Sequence, residues 1–186
     1  MSRFTVTELP LAGLRLVTRQ RQGDNRGFLS RLYCADELAL AGWQKPILQV
    51  NHTSTVMRGT VRGMHFQRPP HAEMKLVSCI RGEVWDVAVD VRTDSPTFLH
   101  WHAEPLSADN GHALLIPEGF AHGFQALTDD AELLYCHSAA YSTGAEAALN
   151  PMDSRLAIVW PLPIGDLSDK DRSLPFIDRN FSGVQL

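Results

Sequence analysis

Strand-length apolar runs, separated by clusters of Gly, Pro, Asn and Asp, recur along almost the whole chain and leave little room for helix. In "PILQVNHT" (46–53), Ile47, Gln49 and Asn51 fall on one face and Leu48 and Val50 on the other. "KLVSCI" (75–80) and "GEVWDVAVDVR" (82–92) follow, and Trp85, Val87, Val89 and Val91 share a face of the second. "HALLIP" (112–117), "GFQAL" (123–127), "AELLYCHSAAY" (131–141) and "LAIVW" (156–160) continue the series. Only "ADELALAG" (35–42) and "SDKDRS" (168–173) read as helical. Short strands at this spacing predict an all-β protein, an antiparallel jelly-roll barrel with a few short helices. With no repeat, linker or low-complexity tract, residues 1–186 read as a single domain.

A barrel encloses a cavity, and strand alternation selects the side chains that face it. Met64 and Phe66 oppose His65 and Gln67 in "GMHFQ" (63–67). Lys75, Val77 and Cys79 share one face of their run, and Leu133, Tyr135 and His137 share one face of theirs. A polar side chain turned inward must find a partner or do chemistry, because burying it unpaired costs roughly 1–3 kcal/mol. His65, Gln67, Lys75 and Tyr135 are therefore expected to face the interior.

Composition excludes several functions. A net charge of −4 lacks the basic bias of a nucleic-acid binder. No apolar stretch reaches the roughly 20 residues of a membrane span, and the N-terminal segment lacks the apolar core of a signal peptide. The three cysteines, Cys34, Cys79 and Cys136, are odd in number and form no CxxC pair. They suit a reducing, cytoplasmic compartment better than a disulfide framework or a zinc ribbon.

Two glycine-bounded stretches resemble the paired motifs of the cupin superfamily: Gly59, His65, Glu73 and Gly82, then Gly111, Pro117, Gly119 and His122. Metal-binding cupins take histidines from both motifs and a carboxylate, so His65, Glu73 and His122 form one conceivable ligand set. Two features oppose it. Gln67 stands where such cupins carry their second His, and Lys75 would bring a cation against a dication.

A more specific resemblance runs in order through the chain. "NRGF" (25–28), "QVNHTST" (49–55), "VRGMHFQRPPHAEMKLV" (61–77) and "GEVWDVAVDVRTDSPTF" (82–98) are similar to motifs of the dTDP-4-dehydrorhamnose 3,5-epimerase family. So are "IPEGFAHGF" (116–124), "YCHSAAY" (135–141) and "LSDKD" (167–171). The resemblance implies a metal-free and cofactor-free cupin, usually a homodimer with shared active sites, that acts on a nucleotide-linked 4-keto-6-deoxyhexose and inverts carbons 3 and 5. It further implies that His65 is the base, oriented by Asp171, that Lys75 faces the 4-keto oxygen, and that Tyr135 is the general acid. Arg26 and Arg62 correspond to arginines that grip the diphosphate. Gln49, Asn51, His122, Tyr141, Glu146 and Lys170 correspond to further substrate contacts.

The chain departs from the pattern at two positions. Arg31 stands where a Glu that helps recognise the nucleotide is usual, and Glu73 stands where Gln is more common. The first opens the nucleotide to CDP or GDP as alternatives to dTDP, while the catalytic set is untouched. Three competing readings remain: a related enzyme inverting only carbon 3 or carbon 5, a metal-dependent cupin oxygenase, and a non-catalytic sugar-binding cupin.

Overall fold

The computed structural model describes residues 2–186 and is built almost entirely from antiparallel strands. The elements are β1 (Phe4–Glu8), β2 (Arg15–Arg19), β3 (Arg21–Asp24), β4 (Gly27–Ser30), α1 (Ala35–Ala39) and β5 (Gln49–Thr55). They continue with β6 (Val61–Gln67), β7 (Lys75–Arg81), β8 (Glu83–Asp90), β9 (Trp101–Ser107), β10 (His112–Ile116) and β11 (Phe120–Ala126). The last are β12 (Ala131–His137), β13 (Glu146–Ala148) and α2 (Asp169–Arg172). A six-stranded sheet runs β1-β2-β10-β7-β12-β5, and a five-stranded sheet runs β13-β6-β11-β8-β9. The β3–β4 hairpin stands apart from both. This is the antiparallel jelly roll that the strand pattern implies. Among the described residues no helix is long and apolar enough to cross a membrane.

Apolar side chains fall into three layers, and alternation explains all three. Between the sheets, Val77 and Cys79 of β7, Leu114 of β10 and Leu133 of β12 meet Val84 and Ala88 of β8 and Phe120 and Phe124 of β11. The outer face of the first sheet carries Val17, Leu76, Ala113 and Leu115, and α1 with Trp43 covers it through Leu38 and Ala41. The outer face of the second sheet carries Met64, Phe66, Val87, Val89 and Ala121, and the C-terminal segment covers it through Leu149, Leu156 and Val184. Strands buried on both faces lose a clean polar alternation, which is why β7, β8 and β11 read as nearly continuous apolar runs.

One expected strand is absent. Residues 156–160 ("LAIVW") form no ladder. Leu156, Ile158 and Trp160 are apolar because they pack on the outer face of the second sheet, and their alternation serves that contact without a strand partner. The two expected helices are present but shorter, at Ala35–Ala39 and Asp169–Arg172.

Gly63 and Gly123 let β6 and β11 approach closely. Gly63 has φ +137°, and a Cβ there would fall against the Gly123 Cα. The β6–β11 register shifts at this point, pairing His65 with His122 and Arg62 with Phe124. Both histidines are thereby brought side by side.

Candidate active site

A cavity of about 620 Å³ opens between the sheets, and ten of the twelve residues expected in a site line it. β6 supplies Arg62 and His65, β7 supplies Lys75, β11 supplies His122, and β12 supplies Tyr135. Asn51 of β5, Glu146 of β13, Tyr141, and Lys170 and Asp171 of α2 complete the ten. Gln49 and Arg26 are the two that do not line it. Gln49 sits behind Asn51, donating to its Oδ1 at 3.1 Å and accepting from the Tyr141 N–H at 2.9 Å. Arg26 projects from the exposed β3–β4 hairpin and pairs with Asp24 at 2.6 Å.

His65 Nε2 lies 2.7 Å from Asp171 Oδ1. Asp171 does not cap its helix. That role falls to Ser168, whose hydroxyl accepts from the Asp171 N–H at 3.0 Å and leaves the carboxylate free to turn toward β6. Burial pushes the Asp171 carboxyl up, but the bond from His65 and the proximity of the imidazole outweigh it, so the carboxyl lies below its ordinary range. An ionised acceptor at Nε2 leaves the His65 Nδ1 lone pair available to the cavity.

The Lys75 ammonium donates to the His65 carbonyl at 3.1 Å and lies 3.3 Å from Glu73 Oε1, with its side chain 7% exposed. The loop carrying Pro69 and Pro70 joins β6 to β7 across the sheets and so returns the lysine beside the histidine. Tyr135 enters from the opposite sheet, stacked on His137 with ring centroids 6.0 Å apart and edge-on to His122 at 5.7 Å. Burial first, and the nearby Asp86 carboxylate second, raise the Tyr135 phenol well above its ordinary value. It therefore stays protonated at neutral pH and can donate.

His122 Nε2 is 2.9 Å from Asp86 Oδ1 in the buried interior. Burial lowers the His122 pKa more than Asp86 raises it, so the ring is neutral and its Nδ1 remains an acceptor. At the rim, Lys170 bonds Glu146 at 2.7 Å and the Tyr141 hydroxyl donates to the same carboxylate at 3.1 Å. Arg62 is exposed, and its guanidinium makes no hydrogen bond or ion pair among the described residues.

Several placements refine the sequence reading. Gln67 is buried and clamps two loops, donating to the His71 and Ala140 carbonyls and accepting from the Ser142 N–H at 2.6 Å. Glu73 is held by Lys75 and by His137 Nδ1 at 2.9 Å, and His71 is exposed in the loop. Among the described residues no three His, Cys, Asp or Glu side chains converge on a metal position. Arg31 lies outside the cavity and pairs with Glu37. Asp86 and His137 bond to site residues although neither belongs to the candidate set. A lone carboxylate inside "VWDVAV" and a His on the Tyr135 face were the available signals.

Comparison with known proteins points to one family. The dTDP-4-dehydrorhamnose 3,5-epimerase family model matches residues 8–179. The dTDP-4-dehydrorhamnose 3,5-epimerase of Salmonella typhimurium is 43% identical over 159 residues, covering 84% of this chain and 86% of that one. The dTDP-4-dehydrorhamnose 3-epimerase of Streptomyces niveus is 37% identical, covering 88% and 79%. The crystal structure of the Legionella pneumophila dTDP-6-deoxy-D-glucose-3,5-epimerase in complex with dTDP-4-keto-L-rhamnose superposes with a TM-score of 0.91. Its identity is 33%, with 98% of this chain and 99% of that one covered.

Proposed function

The chain belongs to the dTDP-4-dehydrorhamnose 3,5-epimerase family, and from that membership we infer how its cavity works. The protein is an epimerase acting on a dTDP-linked 4-keto-6-deoxyhexose. One observation carries the assignment of roles: His65 and Tyr135 enter one cavity from opposite sheets, with Lys75 bonded to the backbone of His65.

A ketone acidifies the C–H bonds on both neighbouring carbons. His65 Nδ1 takes the proton, Asp171 stabilises the imidazolium that forms, and the C–H electron pair moves onto the carbonyl oxygen. Lys75 stabilises the enolate oxygen, where charge develops most. The enolate carbon takes its new proton from Tyr135 on the far face, which inverts the centre. Solvent then removes the proton from the imidazolium and returns one to the phenolate. Asn51, His122, Tyr141, Glu146 and Lys170 hold the sugar, with Gln49 behind them, and the unpaired Arg62 guanidinium takes the diphosphate.

A homodimer with shared sites is part of this reading. β5 is an edge strand, and Val50 on it and Leu48 just before it are exposed. The β3–β4 hairpin is exposed along nearly its whole length and carries Phe28 and Leu29, 61% and 70% exposed. Apolar surface of this kind fits a second copy, into whose cavity the hairpin would deliver Arg26.

Incubation in deuterated water with dTDP-4-keto-6-deoxyglucose tests the function. Deuterium is expected at carbons 3 and 5, and absence from both overturns the reading. The similarity to a 3-epimerase supports a second reading, which label at carbon 3 alone would establish.

A further inference from the structure

The cavity contains a His–carboxylate pair beyond the base and its partner, formed by His137 and Glu73, for which the reaction above has no use. His137 Nδ1 is 2.9 Å from Glu73 Oε2, and both side chains are about nine-tenths buried, at 11% and 9% exposure. Their environment is specific. His137 is paired in register with Lys75 on one side and with Gln49 on the other. Its ring stacks on Tyr135.

Hydrogen-bond polarity propagates through this pair. Burial pushes the Glu73 carboxyl up, but the bonds from His137 and Lys75 outweigh it and keep it below its usual range. Glu73 is thus an ionised acceptor, and Nδ1 of His137 must carry the proton it donates. In the neutral ring Nε2 is then an acceptor, 3.4 Å from Asn51 Nδ2. With its amide nitrogen committed to His137, Asn51 presents Oδ1, which accepts from Gln49 Nε2 at 3.1 Å. The remaining Gln49 oxygen accepts from the Tyr141 N–H at 2.9 Å. Each amide has a nearly symmetric outline and could sit either way round, so the choice needs an asymmetric anchor. The hydrogen-bonded chain has such an anchor at each end, the Glu73 carboxylate, which can only accept, and the Tyr141 N–H, which can only donate, and both impose the same orientation.

We propose that Glu73 and His137 are a positioning pair that holds Asn51 from the side opposite the Tyr141 N–H, locking the donor and acceptor orientation of Asn51 and Gln49 and thereby the pattern of hydrogen bonds offered to the sugar. The inference rests on the epimerase reading for its consequence, but not for its geometry. Neither residue touches the reacting carbons in this assignment. The effect of His137 passes through Asn51, so it falls on sugar binding before it falls on proton transfer, whereas Glu73 also pairs with Lys75 at 3.3 Å.

Two measurements test it. Long-range ¹⁵N–¹H spectra of the free protein at pH 8 are expected to show His137 protonated on Nδ1 and bare on Nε2. A proton on Nε2 overturns the proposal, whatever the substrate. In the deuterium-exchange assay, His137→Phe keeps the stacking ring and is expected to raise KM about fivefold, the worth of one hydrogen bond, with kcat within about twofold. Asn51→Ala combined with His137→Phe should be no worse than Asn51→Ala alone, since both break one chain. Multiplying effects, or a fall in kcat at constant KM, overturn the proposal. Glu73→Gln, which keeps an acceptor, should retain a lower KM than Glu73→Ala, and equal values count against the pair. A wild-type protein that exchanges no deuterium sinks the epimerase reading, while the tautomer still decides the pair.

Discussion

Asp171 Oδ1 accepts from His65 Nε2 at 2.7 Å although 106 residues separate them in the chain. The contact joins the four-residue helix α2 to strand β6, and its geometry decides which histidine nitrogen faces the cavity. Asp171→Asn removes the charge that supports the imidazolium while nearly preserving shape. We expect kcat to fall on the order of a hundredfold or more, with KM changed far less, in steady-state assays of epimerisation.

Tyr135→Phe separates the two halves of the reaction. The ring keeps its stacking on His137, but the proton donor on the far face is gone. Proton removal by His65 persists, so deuterium still enters the recovered substrate with retained configuration. Inversion should drop on the order of a hundredfold or more. Loss of exchange and inversion in equal measure would show that Tyr135 acts before the enolate forms.

Acid stability follows from buried carboxylates held below their ordinary range. Asp90 is buried and receives bonds from Arg92, Ser95 and Thr97; these outweigh its desolvation, as the partners of Asp171 and Glu73 do theirs. A folded-state pKa below the unfolded value stabilises the protein above the unfolded value, about 4, and is lost as pH falls through the folded value. Urea midpoints should fall gently from pH 7 to about pH 5, as the unfolded chain protonates His122, which the fold buries neutral, and more steeply below about pH 4. Asp90→Asn should cost about 2 kcal/mol at pH 7 and flatten the acid decline.

Gly63→Ala tests the close approach that sets His65 beside His122. The left-handed φ of +137° and the adjacent Gly123 backbone leave no space for a Cβ. We expect a loss of at least about 2 kcal/mol in urea unfolding, with activity reduced in whatever protein folds. Gly144→Ala is the control, since a Cβ there meets nothing within 4 Å.

Val50→Asp on the edge strand and Leu29→Asp on the hairpin test the dimer. Both positions are exposed in a single chain, at 54% and 70%, so neither charge should disturb the monomer's core. Sedimentation should show a dimer for the wild type and a monomer for each variant, with KM for the nucleotide sugar raised as Arg26 is lost from the partner's site. A wild-type protein that sediments as a monomer rejects the shared site.

Much of the site was legible because strand alternation is local. His65, Lys75 and Tyr135 face the cavity since their neighbours at odd and even positions fill opposite layers, which a single run of residues reveals. The apolar run at 156–160 looks like a strand for the same reason: alternation records which side chains are buried, and says nothing of whether a ladder partner exists. Glu73 resembles a ligand in the sequence because a sequence shows a carboxylate without showing that Lys75 and His137 claim it.

By itself, the sequence determined the fold class, the side chains turned inward and, through motifs in order along the chain, the family. The motifs also implied that Asp171 orients His65, and tertiary structure alone decided the other pairings, His122 with Asp86 and His137 with Glu73. Which carboxylate meets which imidazole depends on the register of strands and loops far apart in the chain. That register is set by how the three apolar layers close together, a property that no local stretch carries.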